Sequence, residues 1–355
     1  MISDTLLQLV CCPDCRGRLT ADADALACGS CGRRFARGPG YLDLRPADAF
    51  TETTRYTDEA LHADARHEMV SPPLLQAGVR QWMLRRMLAL RPGERALDFG
   101  CGSGRSLVWN AGSGASLVGV DVAPYFAHEA LEGTDLVLGD LRRLPFGDGV
   151  FDKGYALDVF EHLSREGLAS VLAEMARVVR PGGRVFVYSH VRKNSPLARG
   201  LRAINALARG LERVGLIDLK RERLRKSDHL NPLADIPDLE RTVGAAGFRI
   251  VQIRYYTPLV GAFIENVLMR MAEKALGRWT SRKRTRGDAP APPPDSDAEA
   301  RAARLAAKRH LARGGALLRT LQAVTALMTI DVRLFGRIRT GPFFALLERV
   351  PDASR

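Results

Sequence analysis

The chain has 355 residues, of which 46% are hydrophobic, and its formal net charge is +13. This length suffices for a full core and for more than one structural unit, and the hydrophobic content is ordinary for a globular protein. Because no eighteen consecutive residues are apolar and no secretory leader is recognisable, the sequence predicts neither a spanning helix nor export. We therefore expect a cytoplasmic location.

The positive charge is unevenly distributed. Residues 192–226 hold eleven Lys or Arg against three acids, and residues 278–286 add five basic residues. This pattern favours an anionic partner such as nucleic acid, an acidic membrane surface or an acidic substrate, and charge alone does not choose among them.

Five of the six cysteines lie between residues 11 and 31. Four of them form two C-x2-C pairs separated by twelve residues, which suit a short hairpin between two metal-binding knuckles. Cys11 is an alternative to Cys12, but the paired register favours Cys12. A disulfide framework is disfavoured in the cytoplasm. The pattern predicts a structural zinc ribbon over residues 1–46, with the ligands Cys12, Cys15, Cys28 and Cys31.

Residues 47–73 are rich in Thr, Asp, Glu and His and are predicted to form a connector. Its His62 and His67 fit solvated helix positions better than ligand positions. The next segment, 74–90, has helical apolar spacing and ends before an Arg-Pro-Gly stop signal.

The segment ALDFGCGSGR, residues 96–105, is predicted to be a strand that stops at a tight turn and opens a helix. Glycines alternate at Gly100, Gly102 and Gly104, where the backbone can turn and approach a ligand closely. A second strand ends in Asp121, about twenty residues on, where nucleotide-binding units place a carboxylate for ribose hydroxyls.

Two further β–α steps follow. A short strand leads to a loop with Asp140 and Leu141, residues 151–163 form a strand that leads to a helix, and a Pro-Gly-Gly turn precedes the strand that ends at His190. Four β–α alternations in about a hundred residues indicate a doubly wound, mostly parallel α/β sheet.

The last third departs from this alternation. Residues 196–216 form a basic helical stretch, and 248–258 have the pattern of a strand. Residues 259–340 then have helical spacing on both sides of a basic and proline-rich linker at about 279–298, which is predicted to be disordered. Residues 341–351 have the pattern of a final strand.

The ordered motifs LDFGCGSGR, GVDV, GDLRRLPF, FDKGYALDVFEHL and RVVRPGGRVFVYSH resemble those of class I S-adenosylmethionine-dependent methyltransferases, and most closely the group that includes quinone-biosynthesis methyltransferases. The resemblance covers roughly residues 75–256. It implies a Rossmann-like core at 74–258 with seven strands, the last of them at 341–351 after a helical insertion. A nicotinamide-binding domain is the alternative, but it would usually carry Gly-x-Gly-x-x-Gly rather than the Gly-x-Gly-x-Gly of this chain.

The resemblance also implies a cofactor site. Asp98 and the glycine turn would surround the methionine portion, Asp121 the ribose, and Asp140 with Leu141 the adenine. Leu157 and Asp158 would lie beside the sulfonium. The implied cofactor-binding set is Asp98, Gly100, Gly102, Gly104, Asp121, Asp140, Leu141 and Leu157.

A general base is needed only if the methyl acceptor arrives protonated, because the sulfonium already activates the methyl group. The candidates are Asp158, His162, His190 and His229. We prefer His190, because it ends the fifth strand on the ligand-binding edge of such a sheet.

The N-terminal segment resembles the zinc-ribbon family whose members partner and activate methyltransferases. Here the ribbon would be fused in cis. Two roles stay open: substrate docking or activation, and a stabilising cap, since a closed four-cysteine zinc contributes folding energy without chemistry.

Together these features predict methyl transfer to O, C or N of a small-molecule or lipid-like acceptor. The insertion 259–340 would be a lid or a peripheral contact with the inner face of the membrane, or else an ordinary helical subdomain or dimer interface. The alternative function is an RNA methyltransferase that binds RNA through the ribbon and the basic stretches, although these lack interleaved aromatic residues. A non-enzymatic scaffold is a third reading, which the intact glycine turn disfavours.

Overall fold

The computed structural model of the chain describes residues 2–22, 25–48, 68–192, 199–217, 229–256, 260–271, 305–306 and 308–351. The predicted linker at 279–298 and most of the predicted connector, including His62 and His67, lie outside the described residues.

Within the described ranges, eleven strands form one sheet. They are β1 (Leu19–Asp22), β2 (Ala25–Cys28), β3 (Arg34–Gly38), β4 (Tyr41–Asp43), β5 (Arg95–Phe99), β6 (Ser116–Asp121), β7 (Asp135–Leu138), β8 (Phe151–Leu157), β9 (Val179–His190), β10 (Phe248–Tyr255) and β11 (Pro342–Arg349). Their order in the sheet is β1-β2-β3-β4-β7-β6-β5-β8-β9-β11-β10. The predicted α/β class is confirmed, but the sheet has eleven strands rather than seven. The count differs because the N-terminal strands extend the sheet, as β4 pairs parallel with β7.

The strands β7, β6, β5, β8 and β9 are parallel, so their carboxyl ends meet at one edge of the sheet. The last strand, β11, is antiparallel and lies between β9 and β10, with Pro342 opposite His190. Parallel α/β sheets bind ligands at the edge formed by the carboxyl ends of their strands.

The helices are α1 (Asp4–Leu9), α2 (Leu75–Met87), α3 (Arg105–Asn110), α4 (His128–Gly133), α5 (Arg165–Val178), α6 (Arg199–Arg213), α7 (Ile236–Ala245), α8 (Val260–Phe263), which continues as a π-helical turn (Ile264–Met269), and α9 (Ala316–Phe335). Polar side chains cap several of them. Ser164 accepts from the N–H of Gly167 at the start of α5, and Asp235 accepts from that of Asp238 at the start of α7.

Helix α9, near the carboxyl end of the chain, is hydrogen-bonded to earlier segments. The Thr325 hydroxyl accepts from the N–H of Leu75 at 2.7 Å, and the buried Asp331 accepts from the N–H of Gly261 at 3.0 Å. These contacts fix α2, α8 and α9 together beside the sheet.

Two large apolar clusters lie on opposite faces of the sheet. Phe343 and Ala345 of β11 belong to one, whereas Phe344 and Leu346 belong to the other, as the alternation of side chains along a strand requires. The first cluster also contains buried residues of the N-terminal segment, which therefore shares a core with the rest of the chain. Among the described residues, no helix is both long and apolar enough to span a membrane.

Candidate functional site

The glycine turn leaves β5 with positive φ at Gly100, Gly102 and Gly104, of 76°, 55° and 75°. At two of them packing excludes a side chain, since a Cβ would lie 2.8 Å from Cγ2 of Val159 at Gly100 and 2.6 Å from Cβ of Ala130 at Gly104. A Cβ on Gly102 would meet no protein atom within 4 Å. The turn is therefore open to a ligand at Gly102.

Asp121 at the end of β6 is bound to this turn. Its carboxylate accepts from the N–H of Gly102 at 2.7 Å and from that of Ala123 at 3.1 Å. Asp98 is buried nearby, and burial, with the negative charge of Asp121, raises its pKa well above the usual range against the opposing effects of Tyr155 and Arg105. Burial thus favours the neutral form of this carboxyl group more than an exposed position would.

The loop after β7 carries the predicted adenine-binding residues. Leu141 lies near the glycine turn, because a Cβ on Gly100 would be 3.8 Å from its Cδ1. The buried Asp140 carboxylate is bound by Arg142, which donates from its backbone N–H and its guanidinium at 2.9 Å each. The Asp140 carboxylate therefore stabilises the loop in which it lies. Leu141 is the apolar residue of the predicted adenine-binding pair.

The carboxyl end of β8 brings Leu157 and Asp158 to the same edge. Asp158 has φ of +57°, which is unusual for a residue other than glycine, and such strain is concentrated at functional sites. Its N–H donates to the carbonyl oxygen of Tyr188 at 3.0 Å, and its carboxylate pairs with Arg80. The ion pair with Arg80, which lies on α2, makes Asp158 a poorer candidate for a base.

All four predicted bases, Asp158, His162, His190 and His229, have a ligand atom within 4.8 Å of the Glu161 carboxylate. The sequence did not single out Glu161 as a site residue. The Glu161 carboxylate is buried, accepts from Oγ of Ser189 at 2.7 Å and lies 3.2 Å from Nδ1 of His190. Burial alone would raise its pKa, but the hydrogen bonds and charge of His190, with the bond from Ser189, lower it to about 2. The rings of His162 and His229 stack edge-to-face at 4.7 Å, and His229 is 6.2 Å from His190.

The only signal for Glu161 in the sequence is its position before His162 at the end of the β8 segment. Nothing in the sequence pattern indicates Arg80, which is 78 residues away from its partner Asp158.

The four predicted zinc ligands come together in the N-terminal segment. Cys12, Cys15, Cys28 and Cys31 have sulfur atoms within 4.8 Å of one another, with separations of 3.7 Å for Cys12–Cys31 and 3.4 Å for Cys15–Cys28. Four thiolates on one tetrahedral Zn²⁺ lie about 3.8 Å apart, so this donor set fits the ion. Cys11 is not in the cluster.

Residues near the zinc-binding cysteines contact the loop that follows β7. The N–H of Cys11 donates to the carbonyl of Pro145 at 2.9 Å, and Arg143 pairs with Asp48 at 2.6 Å. At the amino end of β7, Ser3 binds Asp135 at 2.6 Å. Hydrogen bonds thus connect the N-terminal segment to the loop that carries Asp140 and Leu141 and to the strand before it.

Comparison with known proteins confirms both resemblances. Residues 97–187 match the family model described as a methyltransferase domain, and residues 3–36 match the model of the Trm112p-like protein family.

The curated relatives share part of the chain. This chain is 38% identical over 129 residues to demethylmenaquinone methyltransferase of Mycolicibacterium vanbaalenii. The aligned region covers 34% of this chain and 54% of that protein. The chain is 34% identical over 174 residues to methyltransferase GfsG of Streptomyces halstedii (42% and 62%) and 33% identical over 116 residues to sterol 4-C-methyltransferase strm-1 of Caenorhabditis elegans (30% and 34%). The chain spans about half the length of these three curated relatives, from 34% to 62%.

Among solved structures, Haemonchus contortus phosphoethanolamine N-methyltransferase 2 in complex with S-adenosyl-L-methionine aligns at 15% identity with a TM-score of 0.49, covering 86% of this chain and 61% of that one.

Proposed function

We propose that this chain, which contains a methyltransferase domain and a Trm112p-like segment, is an S-adenosylmethionine-dependent methyltransferase that acts on a small-molecule or lipid-like acceptor. The observation that carries the proposal is the glycine turn, which is open at Gly102 and bound by its N–H to Asp121. That arrangement gives a ligand access to backbone that a side chain would block.

The residues of the turn and of the neighbouring strand ends fit the cofactor. Asp98 and the three glycines would hold the methionine portion, Asp121 the ribose hydroxyls, and Asp140 with Leu141 the adenine. Leu157 and Asp158 would lie beside the sulfonium. When bound, S-adenosylmethionine supplies an activated methyl group. The chain's own contribution is to align the acceptor with that group and to exclude water.

His190 is the proposed proton acceptor, and Glu161 is its positioning residue. The buried Glu161 carboxylate, held also by Ser189, orients the imidazole through Nδ1 and stabilises its charged form after it receives a proton. The other ring nitrogen, Nε2, would face the acceptor. His162 and His229, which stack beside this pair, would line the same site.

Two observations support a lipid-like acceptor. The matched relatives are named for demethylmenaquinone and sterol substrates. In addition, helix α9 of the predicted insertion exposes large apolar side chains beside exposed arginines, which suits a surface that meets an amphiphile or an acidic bilayer. The apolar residues of α9 exposed in this way are Leu317, Leu327, Ile330, Leu334 and Phe335.

On this proposal the chain comprises a zinc ribbon at 1–46, a connector at 47–73, a core at 74–258 completed by 341–351, and an insertion at 259–340. The described helices of the insertion would form a lid or a peripheral contact with the membrane.

The test is to incubate the purified full chain with radiolabelled S-adenosylmethionine and either organic-extracted lipids and metabolites or total RNA from the source cells. We expect label in the organic phase with the wild-type chain and none with a Gly102→Val variant. Label that RNase releases would instead favour the RNA methyltransferase.

The membrane contact needs a separate experiment. Flotation with anionic vesicles of phosphatidylglycerol and phosphatidylcholine should carry the wild-type chain, and an Ile330→Ser/Leu334→Ser double variant should float less. A Val251→Ser variant, which alters an exposed apolar residue on β10, is the control. Equal flotation of all three proteins would contradict the contact while leaving the methyltransferase proposal intact.

A further inference from the structure

A second set of polar side chains, which includes Tyr256 and Glu265, lies next to the proposed methyl-transfer site near Tyr188. The ring centroid of Tyr188 is 5.5 Å from that of His190 and 5.7 Å from that of Tyr256, which follows β10. Tyr256 in turn donates from its hydroxyl to Glu265, a residue of the π-helical turn Ile264–Met269. Such turns are rare and occur frequently at functional sites.

A continuous chain of hydrogen bonds joins Glu265 to the end of β8. The second carboxylate oxygen of Glu265 accepts from the side-chain amide of Gln76, whose carbonyl oxygen accepts from Arg80 at 3.1 Å. Arg80 then pairs with Asp158, the residue with positive φ. Glu265 is therefore connected to the position proposed to lie beside the sulfonium.

The Glu265 carboxylate has unused capacity. In the part of the chain that the structure describes, it accepts one hydrogen bond on each oxygen, both from neutral donors, and it makes no ion pair within 4 Å. Each carboxylate oxygen can accept another bond. Burial raises its pKa to about 7, against the hydrogen bonds of Tyr256 and Gln76 and the charges of Arg80 and Arg270. A partly buried carboxylate without a bonded cation is costly, so a functional reason for keeping it is expected.

The surroundings favour a neutral donor over an ammonium group. The guanidinium of Arg80 lies 4.8 Å over the ring of Tyr188, on an aromatic face that a ligand cation would otherwise use. The charges of Arg80 and Arg270 would also repel a second cation. The rings of Tyr188, Tyr256 and Phe344, whose centroids lie 5.1 to 5.7 Å apart, are buried. They make the surroundings of the Glu265 carboxylate apolar, which favours an acceptor with an apolar or aromatic body.

We propose that Glu265 anchors the methyl acceptor by accepting a hydrogen bond from a hydroxyl group carried on an apolar or aromatic body. The inference deepens the proposed function, because it names the acceptor chemistry of the same site. Glu265 would set which acceptors bind, whereas His190 would receive the proton.

The probes are 4-octylphenol and its methyl ether 4-octylanisole, which has the same body but lacks the donor. Their binding to the full chain with S-adenosylhomocysteine present is measured by calorimetry at pH 8 and pH 6. We expect the wild-type chain to bind the phenol about tenfold or more tightly than the ether at pH 8, as for a hydrogen bond to a charged group. The ratio should fall at pH 6, where Glu265 becomes protonated.

Two variants separate this role from a structural one. Glu265→Gln should reduce the phenol-to-ether ratio to about twofold and remove its pH dependence, because a neutral amide oxygen is a weaker acceptor. Glu166→Gln, at an exposed position on α5, should retain the wild-type ratio. The Arg80 and Arg270 guanidinium groups stay charged across this pH range, and burial raises the pKa of Tyr188 and Tyr256, so neither tyrosine ionises there. The three histidines of the site, His162, His190 and His229, are present in both proteins, so only a pH dependence that Glu265→Gln abolishes is assigned to Glu265.

Equal affinities for phenol and ether in the wild type, or no binding of the phenol, would overturn the inference. A wild-type ratio that Glu265→Gln leaves unchanged, with an unaltered melting temperature, would also overturn it. Titration with S-adenosylhomocysteine alone tests the proposed function separately. A chain that binds this cofactor product but does not discriminate the probes retains the methyltransferase proposal and loses only the anchor.

Discussion

Nδ1 of His190 lies 3.2 Å from Oε1 of the buried Glu161. In the proposed mechanism Nε2 of the imidazole would face the acceptor, and the Glu161 carboxylate would stabilise the protonated ring. A histidine at the end of a strand is thereby held in one orientation by a residue of the preceding β–α connection.

Replacing His190 with Ala should lower kcat about 10²- to 10⁴-fold, the usual contribution of general acid–base catalysis. The affinity for S-adenosylmethionine should stay within about twofold of wild type, since the cofactor residues lie elsewhere. Glu161→Gln should lower kcat by a smaller factor and add little in the His190→Ala background, because the two residues act as a unit. Steady-state kinetics with the identified acceptor measure this, with the exposed His128→Ala as the control, and unchanged turnover in His190→Ala would remove that residue from the mechanism.

Glu161 should also make folding stability depend on pH. Its pKa is lowered from 4.5 in the unfolded chain to about 2 in the fold. The carboxylate thus stabilises the protein fully above about pH 4.5 and progressively less as the pH falls towards 2. Urea unfolding at pH 6 and at pH 3.5 should find that wild type exceeds Glu161→Gln in stability by more at pH 6, and a constant difference would contradict the assignment.

The glycine turn offers a matched set of substitutions. Gly102→Ala and Gly182→Ala both place a side chain at positive φ with no protein atom within 4 Å, so each should cost about 1–2 kcal/mol of stability. Only Gly102→Ala should weaken S-adenosylhomocysteine binding, by about tenfold or more, because its Cβ enters the ligand's space. Calorimetric titration and chemical denaturation distinguish the two, and equal binding by both variants would refute the proposed position of the cofactor.

Gly104→Ala should behave differently from both. Its Cβ would lie 2.6 Å from Cβ of Ala130 on α4, so the backbone has to shift, and the variant should lose more stability than Gly182→Ala. Chemical denaturation measures this, and a loss no greater than that of Gly182→Ala would mean that α4 adapts freely.

Loss of zinc should weaken cofactor binding through the loop that follows β7, which carries Asp140 and Leu141. Cys15→Ser removes one of four ligands and should lower the bound zinc from about one ion per chain and reduce the melting temperature. Cys11 of the ribbon, and Asp48 just after it, both bind the loop that follows β7. We therefore also expect weaker S-adenosylhomocysteine binding, by several-fold.

The matched control is Cys11→Ser, which lies outside the sulfur cluster and keeps the backbone N–H that binds Pro145. It should retain zinc and cofactor affinity. Elemental analysis, thermal denaturation and calorimetric titration provide the three readouts, and cofactor affinity unaffected by zinc removal would leave the ribbon as a stabilising cap.

The sequence by itself determined the features that depend on neighbours along the chain. The two C-x2-C pairs bring their sulfurs together because each knuckle is a tight local turn and a short hairpin, β1–β2, joins them. The glycine turn is equally local, since Gly100, Gly102 and Gly104 adopt the positive φ that other residues avoid. The alternation of apolar strands and helices sufficed to predict the α/β class and the edge at which the predicted site residues gather.

Only the tertiary structure decided which side chains are partners. Glu161 meets His190 across 29 residues, Arg80 meets Asp158 across 78, and Gln76 meets Glu265 across 189. No periodicity encodes such pairs, because they depend on how strands are ordered in the sheet and on where helices from distant segments pack. The continuation of the sheet to eleven strands has the same origin, since it requires the edge of β7 to accept β4, a choice made by backbone hydrogen bonding between segments far apart in the chain.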